Sequence, residues 1–270
     1  MRHAILTSHG TDNPVGAAVI SDLVAAVQSA LPGVRVHETY VDVQHPQLPE
    51  VLTRELAADP TGEFVVVPLL LGTGYHVKQD MADAVLQALT QHPSANIALV
   101  RAFQAAPELV NLMVSRVLEY QPLASDIVLF ATAGSSDAAS RDQAAETFEL
   151  FSLALAKQAP GTKAELAYLS AAEPRLKDLV PRLKFKNPRS RIIVATHLLA
   201  PGFFFDLIKK SGAHLISEPL LSATEPTPSG LVELVIKRIA EALDQSQTLG
   251  CAKPADTNWN CVAGCAKVCR

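Results

Sequence analysis

Phe64-Val-Val-Val-Pro-Leu-Leu-Leu71 is apolar at every position and shows no alternation. A strand with one wet face alternates, whereas a strand covered on both faces does not, so this run reads as the centre of a parallel sheet ending near Gly72. Working outward, β-rich runs alternate with helical patterns along the whole chain, which is the signature of helices packed on both faces of parallel sheets. Before the central run, the expected elements are strand 3–8, helix 14–31, strand 34–41 and helix 48–58. After it come helix 77–90, strand 96–102 and helix 107–120. Within the first helix, Val15, Val19, Leu23 and Val27 recur at four-residue spacing, a stripe suited to packing on a sheet.

Past Gln121–Ala124 the same order begins again, with strands at 126–131, 164–169, 191–198 and 214–217. Helices are expected at 138–157, 174–183, 203–211 and 230–244. Individual residues repeat too. Tyr40 and Pro46 correspond to Tyr168 and Pro174, and Gly74 to Gly202, all at a separation of 128 residues. Gly10 corresponds to Gly134 at 124. A period this long means two copies of a domain. The expected division is therefore an N-terminal lobe over residues 1–121, a second over 125–244, and a tail over 245–270.

With 49% hydrophobic and 19% charged residues, the 270-residue chain can bury two cores. Its net charge of −4 excludes a broad basic field for nucleic acid. The first residues carry no secretory pattern, and the most apolar run is too short to span a bilayer, so the expectation is a cytoplasmic protein with no membrane partner. All four cysteines, Cys251, Cys261, Cys265 and Cys269, fall within the last 20 residues, so no disulfide framework holds the fold.

Two segments carry candidate chemistry. Thr7-Ser8-His9-Gly10-Thr11-Asp12 joins the first strand to the first helix, at the carboxyl edge where open α/β sheets bind ligands. Gly10 permits a tight turn, and Thr11 or Asp12 is expected to cap the helix that Pro14 opens. The second, Gly72-Thr-Gly74-Tyr75-His76-Val77-Lys78, leaves the central strand through two glycines. A histidine in such a turn can be merely structural. Two converging imidazoles can instead hold a borderline divalent metal such as Fe²⁺ or Co²⁺, or one can accept a proton. Backbone N–H groups around Gly10–Thr11 and Gly72–Gly74 can face anions, with Lys78 and Arg101 as charge partners.

Ser8-His9-Gly10-Thr11, Pro68-Leu-Leu-Leu71, Gly74-Tyr75-His76-Val77 and Tyr40-Val-Asp42-Val-Gln-His-Pro46 together resemble the sirohydrochlorin chelatase family in its long, two-domain form, over residues 1 to 240. The resemblance implies two tandem chelatase-like (flavodoxin-like) three-layer lobes with a cleft between them. It implies insertion of Fe²⁺, or Co²⁺ in a cobaltochelatase, into the tetrapyrrole sirohydrochlorin without a nucleotide. His9 and His76 would bind the metal and assist proton removal, and Gly10, Thr11, Gly74 and Tyr75 would line the substrate. Asp42 would be a supporting acid and metal ligand, or a plain turn cap. A non-catalytic tetrapyrrole or metal carrier is the alternative from another class.

The second lobe departs from this pattern. Ala133 stands where the first has His9, and Phe204 stands opposite His76. It should be catalytically silent there, with Phe203–Phe205 either a wall for a macrocycle or part of core and interface. His197 corresponds to Leu69 and is expected to be a packed or cleft-facing histidine, not a ligand. His3, His37, His45, His92 and His214 are assigned no role. The cysteine spacing, x9, x3 and x3, allows an iron–sulfur cluster, a looser metal or thiol site, or no metal at all.

Overall fold

The computed structural model describes residues 1–74 and 76–246, with the backbone alone at 76–78 and 244–246. Its strands form two parallel sheets of four. The first holds β1 (Arg2–Ser8), β2 (Arg35–Tyr40), β3 (Glu63–Pro68) and β4 (Asn96–Leu99) in the order β2-β1-β3-β4. The second holds β5 (Ile127–Thr132), β6 (Lys163–Tyr168), β7 (Ile192–His197) and β8 (Leu215–Ile216) in the equivalent order β6-β5-β7-β8. Phe64, Val65, Val66 and Val67 are at most 1% exposed, as a central strand requires. The strand ends at Pro68, short of Gly72.

The helices are α1 (Pro14–Ala30), α2 (Leu48–Ala58), α3 (Ala82–Gln91), α4 (Pro107–Leu118), α5 (Ala138–Gln158), α6 (Leu176–Lys186), α7 (Phe203–Lys209) and α8 (Ser229–Ser246). Asn13, not Thr11 or Asp12, caps α1: its Oδ1 accepts from the Val15 and Gly16 N–H groups at 3.0 Å. Val15 leaves the buried stripe because the first turn of α1 is open to solvent, while Val19, Leu23 and Val27 are buried. A π-helical turn, His76–Met81, precedes α3 where one continuous α-helix was expected. The extra residue of a π turn leaves no trace in a 3.6-residue periodicity.

Among the described residues, packing groups 1–12, 20–103 and 231–246 into one unit, and 13–19 with 104–230 into the other. This departs from the linear halves expected at 121–124. Helix α4 buries Leu109, Val110, Met113, Val114 and Val117 and packs against α5 and β7, and α8 joins the first unit. An amphipathic helix encodes that it must be covered, but not by which sheet. In the first unit, Ile5, Phe64 and Val66 meet Val51, Leu52 and Leu56 of α2 and Met81 and Val85 beside them. In the second, Leu129, Ile192 and Val194 meet Leu176, Leu179 and Val180 of α6. No helix among the described residues is long and apolar enough to cross a membrane.

Candidate functional site

In the order β2-β1-β3-β4 the connections leave β1 in one direction and β3 in the other, so the carboxyl ends of β1 and β3 form the topological switch point. The two strands pair directly, with Thr7 opposite Pro68, and the Leu69 N–H donates to the Thr7 carbonyl at 2.8 Å. His9 is the first residue beyond β1 and is exposed. The segment from Leu69 to Gly74 leaves β3, and the backbone of His76 begins the π-helical turn. The fold thus brings the two histidine-bearing segments to neighbouring strand ends. The side chain of His76, Tyr75 as a whole and the Lys78 side chain lie outside the described residues. So do Cys251, Cys261, Cys265 and Cys269.

The His9 turn is braced by the loop after β2. The Val41 and Asp42 N–H groups donate to the Ser8 and His9 carbonyls at 2.9 and 3.0 Å. Gly10 has φ +92°, and a Cβ there would lie 2.1 Å from the Asp42 carbonyl oxygen, so only glycine fits. The Thr11 N–H donates to the Gln44 side-chain oxygen at 2.8 Å. Asp42 is exposed, and its Oδ1 accepts from the adjacent Val43 N–H at 2.8 Å. Val43 has φ +63°, a position that costs a β-branched residue about 1–3 kcal/mol and persists because its neighbours hold it. Sequence reading missed Val43 and Gln44, since neither type announces such a backbone. Arg101 is exposed, and Gly74 is half-buried beside the buried Thr73.

The second unit repeats this frame without the imidazole. Gly134 has φ +85°, and the Ser170 N–H and Oγ both donate to the Ala133 carbonyl at 2.8 Å. Phe205 is buried, Phe204 packs on the apolar cluster, and Phe203 alone is largely exposed, at 71%. His197 is a core residue. It is 3% exposed, its Nδ1 lies 3.1 Å from Thr132 Oγ1, and it packs on Phe130 at 4.8 Å. Burial pushes its imidazole down to about 4, so it stays neutral.

Residues 3–120 match the family model described as CbiX. The sirohydrochlorin ferrochelatase of Priestia megaterium is 27% identical over 152 residues, which cover 54% of this chain and 54% of that protein. The matched stretch therefore spans about half the length of that relative. Two solved structures share the fold: SirB from Bacillus subtilis with Fe³⁺ and the sirohydrochlorin chelatase SirB from Bacillus subtilis subspecies spizizenii in complex with cobalt. The first has a TM-score of 0.76 at 19% identity, covering 92% of this chain and 98% of that one. The second has a TM-score of 0.72 at 16% identity, covering 92% and 97%. These identities speak for the fold alone, and they extend it across both sheets.

Proposed function

We propose that the chain is a member of the sirohydrochlorin chelatase family, supported by its match to CbiX over residues 3–120, and that it inserts a divalent metal ion, Fe²⁺ foremost, into sirohydrochlorin, with His9 and His76 as the working pair. The observation that carries this reading is the switch point, where His9 and the segment opening at His76 leave adjacent parallel strands. Metallation forms bonds from the metal to all four pyrrole nitrogens and releases the two protons they carried. A neutral imidazole can guide the incoming ion with its lone pair, or take up one of those protons near neutral pH. Neither role needs a nucleotide. In this scheme Asp42 braces the His9 loop through its backbone N–H, which donates to the His9 carbonyl.

Co²⁺ is the second metal reading, favoured by the cobalt complex of a protein with this fold. Two imidazoles do not choose between these ions. The test is a metallation assay with purified sirohydrochlorin and Fe²⁺, Co²⁺ or Ni²⁺ in turn. His9→Ala and His76→Ala should each lower the rate at least about 100-fold, the scale of a lost general base, with the fold unchanged by circular dichroism. Ala133→His should neither raise the wild-type rate nor rescue His9→Ala. Full activity in the double alanine variant would remove both histidines from the mechanism. Transfer of metal without turnover would replace the enzyme by a carrier.

A further inference from the structure

We propose that His3, His37 and Glu55 form a binding site for a divalent transition-metal ion at the amino edge of the first sheet, separate from the site at its carboxyl edge. The three side chains are buried, at 1%, 8% and 3% exposure, where β1 and β2 meet helix α2. One ligand atom from each lies within 4.8 Å of the other two. His3 Nδ1 and His37 Nε2 stand 3.1 Å apart, close to the ~3.3 Å between two nitrogens on a tetrahedral ion with bonds of about 2.0–2.1 Å. Glu55 Oε1 lies 3.7 Å from His37 Nδ1, the nitrogen that does not face His3, so its carboxylate joins an ion held on His37 Nε2 through a rotamer change that carries it round the ring. Two imidazoles and one carboxylate suit Zn²⁺, Fe²⁺, Co²⁺ or Ni²⁺, and not Mg²⁺ or Ca²⁺.

The surroundings are those of a metal site too. His3 Nε2, the nitrogen away from His37, lies 3.3 Å from Asp59 Oδ2, and a carboxylate on the far nitrogen is how ligating histidines are oriented. The Asp59 carboxylate is held in turn by the Met1 ammonium at 2.9 Å. The Glu55 carboxylate accepts from Arg54 at 2.8 Å and lies 3.5 Å from Arg35. Both guanidinium side chains are more than half exposed and can swing into solvent when a cation arrives. The His3 ring lies nearly parallel to those of His37 and Phe64, with centroids at 5.4 and 4.4 Å.

The internal repeat is the control. Carried over by the same separations, His3, His37, Glu55 and Asp59 become Ile127, Glu165, Leu183 and Asn187. Ile127 and Leu183 belong to the apolar core of the second unit. The architecture therefore forms with Ile127 and Leu183 in place of His3 and Glu55, so burying these two polar groups costs desolvation without being needed for the fold. His3 and His9 are six residues apart on or beyond one strand, about 20 Å, so the two sites do not share an ion.

Equilibrium dialysis of the metal-free full chain against Zn²⁺ tests this. Glu55→Gln and His37→Gln should each hold one Zn²⁺ fewer per chain than the wild type, and the same difference should persist in a His9→Ala background. Equal zinc content in folded variants overturns the proposal. A measurement on the unaltered chain covers variants that fail to fold. Substoichiometric Co²⁺ should broaden the ring proton resonances of His3 and His37, and unchanged resonances would equally overturn the site.

Discussion

The turns at His9-Gly10 and Ala133-Gly134 share a backbone and differ in chemistry. Both glycines have φ near +90°, and both would drive a Cβ into a carbonyl oxygen, of Asp42 at 2.1 Å and of Ser170 at 1.9 Å. Val43 and Ala171, 128 residues apart, both sit at positive φ, at +63° and +54°. His45–Pro46 and Glu173–Pro174 are both cis. The strained, glycine-dependent geometry at the strand edge thus belongs to the architecture, since the unit without the imidazole has it as well. What most separates the two turns in chemistry is the side chain at the strand end, His9 against Ala133, while Asp42 and Gln44 also give way to Ser170 and Ala172. A tight turn beside a candidate site is therefore no argument for chemistry, whereas the residue displayed on it is.

The strongest way to break this comparison is at the glycines. Gly10→Ala and Gly134→Ala should each destabilise the chain by about 3 kcal/mol or more, and by similar amounts, when unfolding is followed in urea. A harmless Gly134→Ala would mean that the second turn does not need the geometry the first one needs.

A second pair sharpens it. Arg2 and Glu63, 3.0 Å apart, correspond by the repeat to Asp126 and Arg191, the same ion pair with its charges exchanged. The first pair is 42% and 30% exposed, whereas Asp126 is 2% exposed and also accepts from the Leu123 N–H. Burial would raise the Asp126 carboxyl, but hydrogen bonds from Arg191 and Leu123 hold it below the usual range. Asp126→Asn should cost about 3 kcal/mol, as for a broken buried pair, and Glu63→Gln less than about 1 kcal/mol. Equal losses in denaturant titrations would erase the distinction between the two edges.

An effect confined to acid pH concerns His197 and its counterpart Leu69. The folded-state pKa of His197 is about 4, against 6.5 for an ordinary histidine. Between these values the unfolded chain binds a proton that the folded chain refuses. Its contribution is thus fully present above about pH 6.5 and is lost as pH falls towards 4, by at most about 1.4 kcal/mol per pH unit. His197→Leu, which restores the residue the first unit uses, should flatten that part of the stability–pH curve. An unchanged acid limb in thermal melts would mean that His197 is not the group responsible.

Much of the fold was legible because hydrophobic period and chain punctuation are local. The run Phe64–Val67 revealed a doubly covered strand, and Tyr40, Pro46 and Gly10 revealed the repeat. The candidate site was legible as far as His9, Gly10 and the His76 segment, by motif and by placement after strands. Asn13 as the cap of α1 and the π-helical turn were not, since either depends on a single residue's backbone. The cluster of His3, His37 and Glu55 was not legible either. Its members are 34 and 18 residues apart in the chain, and as isolated letters the two histidines carry no role.

By itself the sequence determined two α/β units of one ancestry, one displaying His9 and the other Ala133, because side-chain identity and apolar spacing are properties of short segments. Tertiary structure alone decided that β1 and β3 lie side by side, that α4 and α8 change partners, and that His3 meets His37 beneath α2. These are contacts between segments far apart in the chain, chosen by which apolar faces exclude the most water together, and no local pattern carries that choice.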